Sequence, residues 1–239
     1  MSRAIILFAL LAGCLAGCLG TDAGNPPFEP EDVGDPAVAV DGVTSNMVCP
    51  PGIMCVPGER DRIEILIPAD AIAAAAESVT LTVLDDVEPP LELTPETEGF
   101  SGVVFAGTGD VLRIVVTTAE GRLPPVDVVV LSNRSLSPHE PDFRDCLLFE
   151  AREYEVGSQP GLVRVRNECE GNISLSLAPL RLGSEAFGVE LLQPSLGEGH
   201  ETMIEVVLTG ASGPMEDTLF VEVSGVVTGR QAITLRQVP

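Results

Sequence analysis

Short apolar runs rich in β-branched residues recur from residue 60 onward, and Pro, Gly and Asp separate them. Runs of this kind between turn signals are typical of β-strands. Residues 60–135 contain five of them, at 63–67, 79–84, 103–105, 111–116 and 126–131. Four consecutive alanines at 73–76 favour one or two helical turns between the first two runs. We therefore predict a small β-sandwich domain over residues 60–135.

The alternation of apolar and polar positions is stronger in residues 143–239. Seven runs fall there, at 146–149, 162–166, 173–177, 187–192, 203–208, 218–223 and 232–235. In the run 173–177 apolar residues alternate with serine, which predicts one buried and one solvent-facing side. Seven short strands fit an immunoglobulin-like sandwich. Residues 136–142, with two prolines, are the predicted linker. The expected fold class is all-β, with two small β-sandwich domains.

The first twenty residues follow a different pattern. Arg3 precedes an apolar run at 4–11, and the tetrapeptide Leu-Ala-Gly-Cys then occurs twice, ending at Cys14 and at Cys18. A positive residue, an apolar run and small residues before a cleavage site predict a signal peptide, here 1–17. The apolar run is shorter than the roughly 20 residues that a transmembrane helix needs. Acylation of a cysteine would then hold the mature protein on the cell envelope, on the outer membrane rather than the inner one.

The polar block at residues 20–27, Gly-Thr-Asp-Ala-Gly-Asn-Pro-Pro, resembles the start of many mature lipoproteins from myxobacteria and their relatives. This resemblance favours Cys18 over Cys14 as the lipidated residue. Residues 18–59 are rich in Pro, Gly and acidic residues and contain no Arg, so we predict a disordered tether. A flexible chain of that length would have an end-to-end distance of roughly 35 to 40 Å and would hold the domains clear of the lipid headgroups.

Four cysteines remain after cleavage and acylation, which suggests two disulfides in an exported protein. Cys49 and Cys55 flank a Pro-Pro-Gly turn and are expected to form a local pair. If the runs 146–149 and 162–166 form a hairpin that turns at residues 157–158, Cys146 faces Cys169, within about 5.5 Å between Cα atoms. A zinc site is the alternative, but it would need closer thiolates or nearby histidines. A redox role for the first pair would need a basic or helical environment.

The formal net charge is −23, and all 13 cationic residues are arginines. So acidic a chain argues against binding nucleic acid, because neutralising phosphates requires clustered cations. Lysine-free acidic chains are typical of GC-rich or salt-adapted bacteria, so habitat and solubility explain the charge. A cation-binding role is the alternative, although the chain has no Asp-x-Asp-x-Asp-Gly calcium loop.

Residues suited to catalysis are scarce in this chain. His139 lies in the predicted linker and His200 in a predicted turn, so both are expected in solvent. There is no Gly-x-Ser-x-Gly nucleophile motif, and the lack of lysine excludes a Ser-Lys pair. The acidic pairs at 85–86 and 216–217 sit at turn signals and are interpreted as solvated surface. We expect no catalytic residue, no cofactor and no metal ligand.

Several short motifs of the second predicted domain carry a family resemblance. They include the run 146–157, the strand and turn at 163–171, the segment 187–189 and the turn Gly197-Glu198-Gly199. Together they resemble the ASH-like or choice-of-anchor-D modules of bacterial surface proteins, over residues 143–239. One departure is that Asn167-Glu168-Cys169-Glu170-Gly171 stands where the family has Asn-x-Gly. The resemblance implies an immunoglobulin-like fold for this domain.

These observations predict a cell-envelope lipoprotein that acts as a non-catalytic structural or protein-interaction module. Its expected partners are the membrane, through the N-terminal lipid anchor, and an envelope protein at the sheet edges or end loops. The alternative is that acidic loops bind calcium or a small ligand at the junction between the two domains. An enzyme is the least favoured class.

Overall fold

The computed structural model describes residues 28–30, 36–49, 51–52, 56, 58–211, 213 and 215–238. These residues form nineteen β-strands and two three-residue 3-10 helices, Val40–Gly42 and Ala69–Ala71. The prediction of an all-β fold built from β-sandwiches is therefore confirmed. In this part of the chain, no helix is long and apolar enough to cross a membrane.

The first sandwich contains ten strands in two sheets. They are β1 (Thr44–Met47), β2 (Arg60–Pro68), β3 (Ser78–Val83), β4 (Leu91–Glu92), β5 (Thr94–Glu96), β6 (Gly99–Gly107), β7 (Val111–Thr118), β8 (Gly121–Arg122), β9 (Val126–Val130) and β10 (Leu136–Pro138). One sheet has the order β1-β2-β6-β5, and the other has the order β10-β9-β7-β3-β4 with β8 paired to β7. Alternate residues of β2 and of β7, such as Ile65 and Ile114, meet in the core between the sheets.

The second sandwich contains nine strands in two sheets. They are β11 (Leu147–Phe149), β12 (Glu153–Val156), β13 (Gly161–Asn167), β14 (Ile173–Leu177), β15 (Phe187–Leu191), β16 (Ser195–Leu196), β17 (Glu201–Leu208), β18 (Glu216–Gly225) and β19 (Gly229–Gln237). The sheets have the orders β11-β13-β17-β15 and β12-β19-β18-β14-β16. The prediction from the alternation at 173–177 is confirmed, since Ile173 and Leu175 lie in the core and Ser174 and Ser176 are exposed.

The four sheets differ in whether the side chains that point away from the two cores are buried or exposed. On β7, Val111 and Val115 lie outside the first core and are nevertheless buried. On β18, Thr218 and Phe220 are buried in the same way. One apolar cluster joins these faces, formed by Leu84, Val111, Phe220 and Ala232. The layers therefore stack as first outer sheet (β1-β2-β6-β5), first inner sheet (β10-β9-β7-β3-β4), second inner sheet (β12-β19-β18-β14-β16) and second outer sheet (β11-β13-β17-β15).

The segment assigned to the tether is shorter than its composition suggested. Val38 is fully buried in the first core, and β1 pairs along its whole length with β2. The backbone N–H groups of Ala39 and Ala73 donate to the carbonyls of Ala71 and Ala37, at 2.8 and 3.0 Å. Residues 36–47 thus belong to the first sandwich, not to the tether at 18–59. The Pro and Gly residues around this segment gave it the composition of a tether, whereas pairing with distant residues makes it a strand and a bridge.

Two further boundaries differ from the prediction. Part of the linker at 136–142 is strand β10, which pairs with β9 at the edge of the first inner sheet, where Pro138 is tolerated. The alanine run forms no regular helix: the 3-10 turn ends at Ala71, and Ile72 bridges to Val38. Tertiary pairing here overrides the helical propensity of alanine.

The Cys146–Cys169 disulfide is confirmed, with its Cα atoms 4.6 Å apart. Strands β11 and β13 are antiparallel, with Leu147 opposite Asn167, and the Glu168 N–H donates to the Cys146 carbonyl at 2.7 Å. The simple hairpin used to predict the pair is wrong, however. Between the two strands the chain crosses to the other sheet, where β12 pairs in parallel with β19. Cys14, Cys18 and Cys55 lie outside the described residues, so the lipidation site and the Cys49–Cys55 pair do too.

Candidate functional site: the interface between the two sandwiches

Arg113 is the one charged residue of strand β7, and it lies in the interface between the sandwiches. Its neighbours on β7 fill the first core, while Arg113 points to the opposite face and is only 1% exposed. The strand register places Thr82 on one side of it and Asp127 on the other. Arg113 donates two hydrogen bonds to the Asp127 carboxylate, both at 2.8 Å. This bidentate geometry is the strong form of an Arg–carboxylate pair.

The Arg113 guanidinium also reaches into the second sandwich. It donates to Thr234 Oγ1 and to the carbonyl of Ala232, each at 3.0 Å. Burial alone would raise the pKa of Asp127, but the charge and the hydrogen bonds of Arg113 together, with smaller contributions from Arg152 and His139, lower it below its ordinary value. Asp127 is therefore held as a carboxylate. It neutralises the buried Arg113 within the first sandwich, while Arg113 also donates hydrogen bonds to the second sandwich.

Arg122 provides a second ionic contact across the interface. Its guanidinium donates to Glu216 at 2.6 Å and lies 3.0 Å from Glu153 Oε1. Among the described residues, however, that buried Glu153 oxygen has no aligned hydrogen-bond donor. Burial consequently raises the pKa of Glu153, and the nearby charge of Glu216 adds to the effect, against the attraction of Arg122.

Two arginines of the second sandwich make the reciprocal contacts. Arg181 inserts into the turn after β3 and donates to the carbonyls of Asp86 and Glu88, both at 2.7 Å. Burial lowers the pKa of this guanidinium. Arg230 binds the Asp85 carboxylate and stacks over the Phe220 ring, with its central carbon 4.7 Å from the ring centroid. Arginine suits these positions because its fork of donors can satisfy several acceptors at once.

The acidic pairs that the sequence placed in solvent belong to this interface or to buried turns. Asp85 accepts from Arg230 and from the Val111 N–H, the latter at 2.6 Å. Asp217 is 1% exposed and accepts the backbone N–H groups of Leu182 and Ser184 at 2.8 and 3.0 Å. The interpretation as solvated surface was wrong because turn signals report local backbone shape and not the packing of one domain on another.

The interface offers little to a metal ion. Its carboxylates are bound to arginines, and across the described ranges no group of three or more His, Cys, Asp or Glu side chains is placed to hold a metal. The two histidines do not meet, because His139 lies beside β9 of the first sandwich and His200 in a turn of the second. What this arrangement can do is fix two sandwiches in one orientation.

A cavity of about 560 Å³ opens beside the interface, lined by residues of 36–41, 124–127 and 136–140 together with Arg144 and Arg152. Its walls combine proline and valine side chains with both acidic and basic groups. His139 is half-buried in this wall, and its backbone N–H donates to the Asp127 backbone carbonyl at 2.9 Å. The sequence did not predict this cavity, because the two segments that form most of it were assigned to the tether and the linker.

Comparison with known proteins places this chain in no family. No family model matches it, and neither does any curated protein. The structure of WR4, a C. elegans MSP family member, matches 39% of this chain and 98% of its own, with 10% identity and a TM-score of 0.29. The crystal structure of a protein of unknown function from Porphyromonas gingivalis W83 matches 82% of this chain and 99% of its own, with 11% identity and a TM-score of 0.31. Similarities this low carry no argument about function.

Proposed function

We propose that this chain is a cell-envelope lipoprotein, lipidated at Cys18, whose two sandwiches act together as one non-catalytic interaction module. The observation that carries the proposal is the interface built around Arg113. Domains of one chain ordinarily move relative to each other unless their interface is extensive and well packed. Here the hydrogen bonds of Arg113 to Thr234 and Ala232, an apolar cluster and reciprocal arginines hold them together. A fixed pair of sandwiches suits presentation of a surface to a partner.

The face of the first outer sheet is the surface that we expect a partner protein to use. The two inner sheets cover most of each other's outward faces, whereas outward residues of the outer sheets such as Glu64 and Glu190 are exposed. On the first outer sheet, Val103 and Phe105 are 38% and 44% exposed. Exposed apolar side chains on a sheet rimmed by charges are typical of protein-interaction sites. Arg62 and Glu64 stand beside them on β2.

The anchor is tested by labelling cells with a palmitate analogue. We expect Cys18→Ser to abolish incorporation and Cys14→Ser to retain it, because Cys14 lies in the predicted signal peptide and Cys18 would be the first residue of the mature chain. Incorporation that persists in Cys18→Ser would contradict the assignment of the anchor.

The interaction role is tested by photocrosslinking in intact cells. A photoreactive residue at position 103 probes the first outer sheet, and position 162 on the second outer sheet is the control, since Leu162 is 44% exposed and Val103 is 38% exposed. We expect a discrete adduct with an envelope protein at 103 and none at 162. An adduct at 162 alone would contradict the choice of surface, and no adduct at either position would contradict the interaction role.

The cavity beside the interface favours a second candidate function, binding of a small ligand. Its volume lies within the roughly 300 to 1,000 Å³ typical of small-molecule sites. Arg144, which pairs with Glu140, and Arg152 make part of the wall basic, and arginine suits an anionic group of a ligand. A ligand that binds only the folded state raises the melting temperature. A shift with small carboxylates that is lost in Arg144→Ala would support this candidate, whereas a shift with calcium alone would point to the acidic loops instead.

A further inference from the structure

Residues 28–30, which we call the leader contact, lie on the second sandwich although the chain after them enters the first. The Phe28 ring is half-buried beneath Arg164, whose central carbon is 5.4 Å from the ring centroid. Arg164 points outward from β13, in the second outer sheet, and pairs with Glu150 at 3.0 Å. The hydrogen bond with Glu150 raises the pKa of Arg164, and the charge of Glu29 contributes to the same effect.

Pro30 and Ala37 lie on different sandwiches. Pro30 lies beside Leu148 and Arg152, toward the interface. Ala37 and Val38 are buried in the first core. Phe28 and Pro30 therefore lie against the second sandwich, whereas Ala37 and Val38 lie in the first. The order of the domains in space, seen from the N-terminus, is the reverse of their order in sequence.

We infer that the second sandwich, residues 143–238, faces the lipid surface and that the first sandwich points away from it. The inference rests on the proposed lipid anchor at Cys18. Ten residues separate Cys18 from Phe28, and even a fully extended chain spans at most about 36 Å over ten residues. The four layers are about 40 Å thick from one outer face to the other, at about 10 Å per layer, and the path around the edge is longer still. The anchor can therefore lie beneath the second outer sheet, but it cannot reach the face of the first.

This geometry also explains why docking of the leader contact matters. Were the chain held only from Ala37 onward, nineteen residues would separate it from Cys18, a reach of up to about 68 Å. Such a reach would allow either sandwich to face the membrane. The contact at Phe28 shortens the connection by about half and moves its attachment point to the second sandwich. The exposed apolar face of the first outer sheet is then presented outward, where a partner protein can bind it.

The orientation can be measured by energy transfer on vesicles. Lipidated protein is reconstituted into phosphatidylcholine vesicles that contain an acceptor-labelled lipid, with a donor dye on Glu190→Cys or on Glu64→Cys. Both positions are exposed, the first on β15 of the second outer sheet and the second on β2 of the first outer sheet. We expect transfer from position 190 to be at least about twofold more efficient, because the sites differ in height by about three layer spacings. Equal transfer, or greater transfer from position 64, would overturn the inference.

The variants Phe28→Ala and Phe105→Ala form a matched pair for the role of the leader contact. Both rings lie 5.4 Å from the central carbon of an arginine, Arg164 and Arg60 respectively, but only Phe28 precedes the first sandwich. Phe28→Ala should reduce the difference in transfer between the two labels, and Phe105→Ala should leave it intact. A difference that survives Phe28→Ala would show that this contact does not set the orientation. Protein that fails to float with the vesicles would instead contradict the lipid anchor, and the orientation with it.

Discussion

The inner and outer sheets of this molecule are made from the same residue types, yet they are buried in different ways. Strand β2 of the first outer sheet places Ile63, Ile65 and Ile67 in the core and Glu64 in solvent. Strand β7 of the first inner sheet is buried on both faces over Val111 to Val116. A strand with one solvent-exposed face has a sequence in which apolar and polar residues alternate, and a strand covered on both faces has a continuous apolar run. The comparison shows that the second sandwich buries the face of the first inner sheet that points away from the first core.

The largest expected difference between inner and outer sheets is in the free energy of unfolding that is lost when an arginine of an ion pair is removed. Arg113→Ala leaves Asp127 charged and buried and removes two hydrogen bonds to the second sandwich, so we expect a loss of about 3 to 5 kcal/mol in the free energy of unfolding. Arg166→Ala on β13 is the control, because its pair with Glu168 is 37% and 45% exposed and should contribute at most about 1 kcal/mol. Urea titration measures both. Similar losses would contradict the special burial of the interface.

Two phenylalanines that both contact arginines give a second, smaller contrast. Phe220 on β18 is 8% exposed within the interface, whereas Phe105 on the first outer sheet is 44% exposed. Phe220→Ala should cost about 3 kcal/mol, since it leaves a cavity in the apolar cluster that joins the sandwiches. Phe105→Ala should cost less than about 1 kcal/mol. Thermal melts followed by circular dichroism measure both, and a larger loss for Phe105 would reverse the assignment of inner and outer faces.

Much of the architecture could be predicted because the information is local. Alternation at residues 173–177 reports one strand, and that prediction holds. The Cys146–Cys169 pair is also present, although the simple hairpin from which it was predicted is wrong. The interface could not be predicted in detail, because Asp85 and Asp217 become buried only when one sandwich packs on another. One signal was nevertheless present: the unbroken apolar run around Arg113 is what a strand covered on both faces requires. Val38 and β1 were missed since their pairing partners are distant in sequence.

The interface also contains two carboxyl groups whose pKa values shift in opposite directions, which gives the finest test of the comparison. The pKa of Asp127 is lowered, so its ionised form stabilises the fold above the ordinary aspartate pKa, and this stabilisation disappears as the pH falls through the lowered value. The pKa of Glu153 is raised, so the native state binds its proton more tightly, and stability falls as the pH rises from the ordinary glutamate pKa through the raised value.

The variants Asp127→Asn and Glu153→Gln should therefore differ in sign at neutral pH. Asp127→Asn should be less stable than wild type, because Arg113 loses its buried counter-charge. Glu153→Gln should be equal to wild type or more stable by less than about 1 kcal/mol, since it removes a buried charge while Arg122 keeps Glu216. Both differences should shrink in acid, where wild type is protonated at these positions. Urea titrations from neutral to acidic pH measure this, and a clear destabilisation by Glu153→Gln at neutral pH would mean that its pair with Arg122 outweighs the cost of burial.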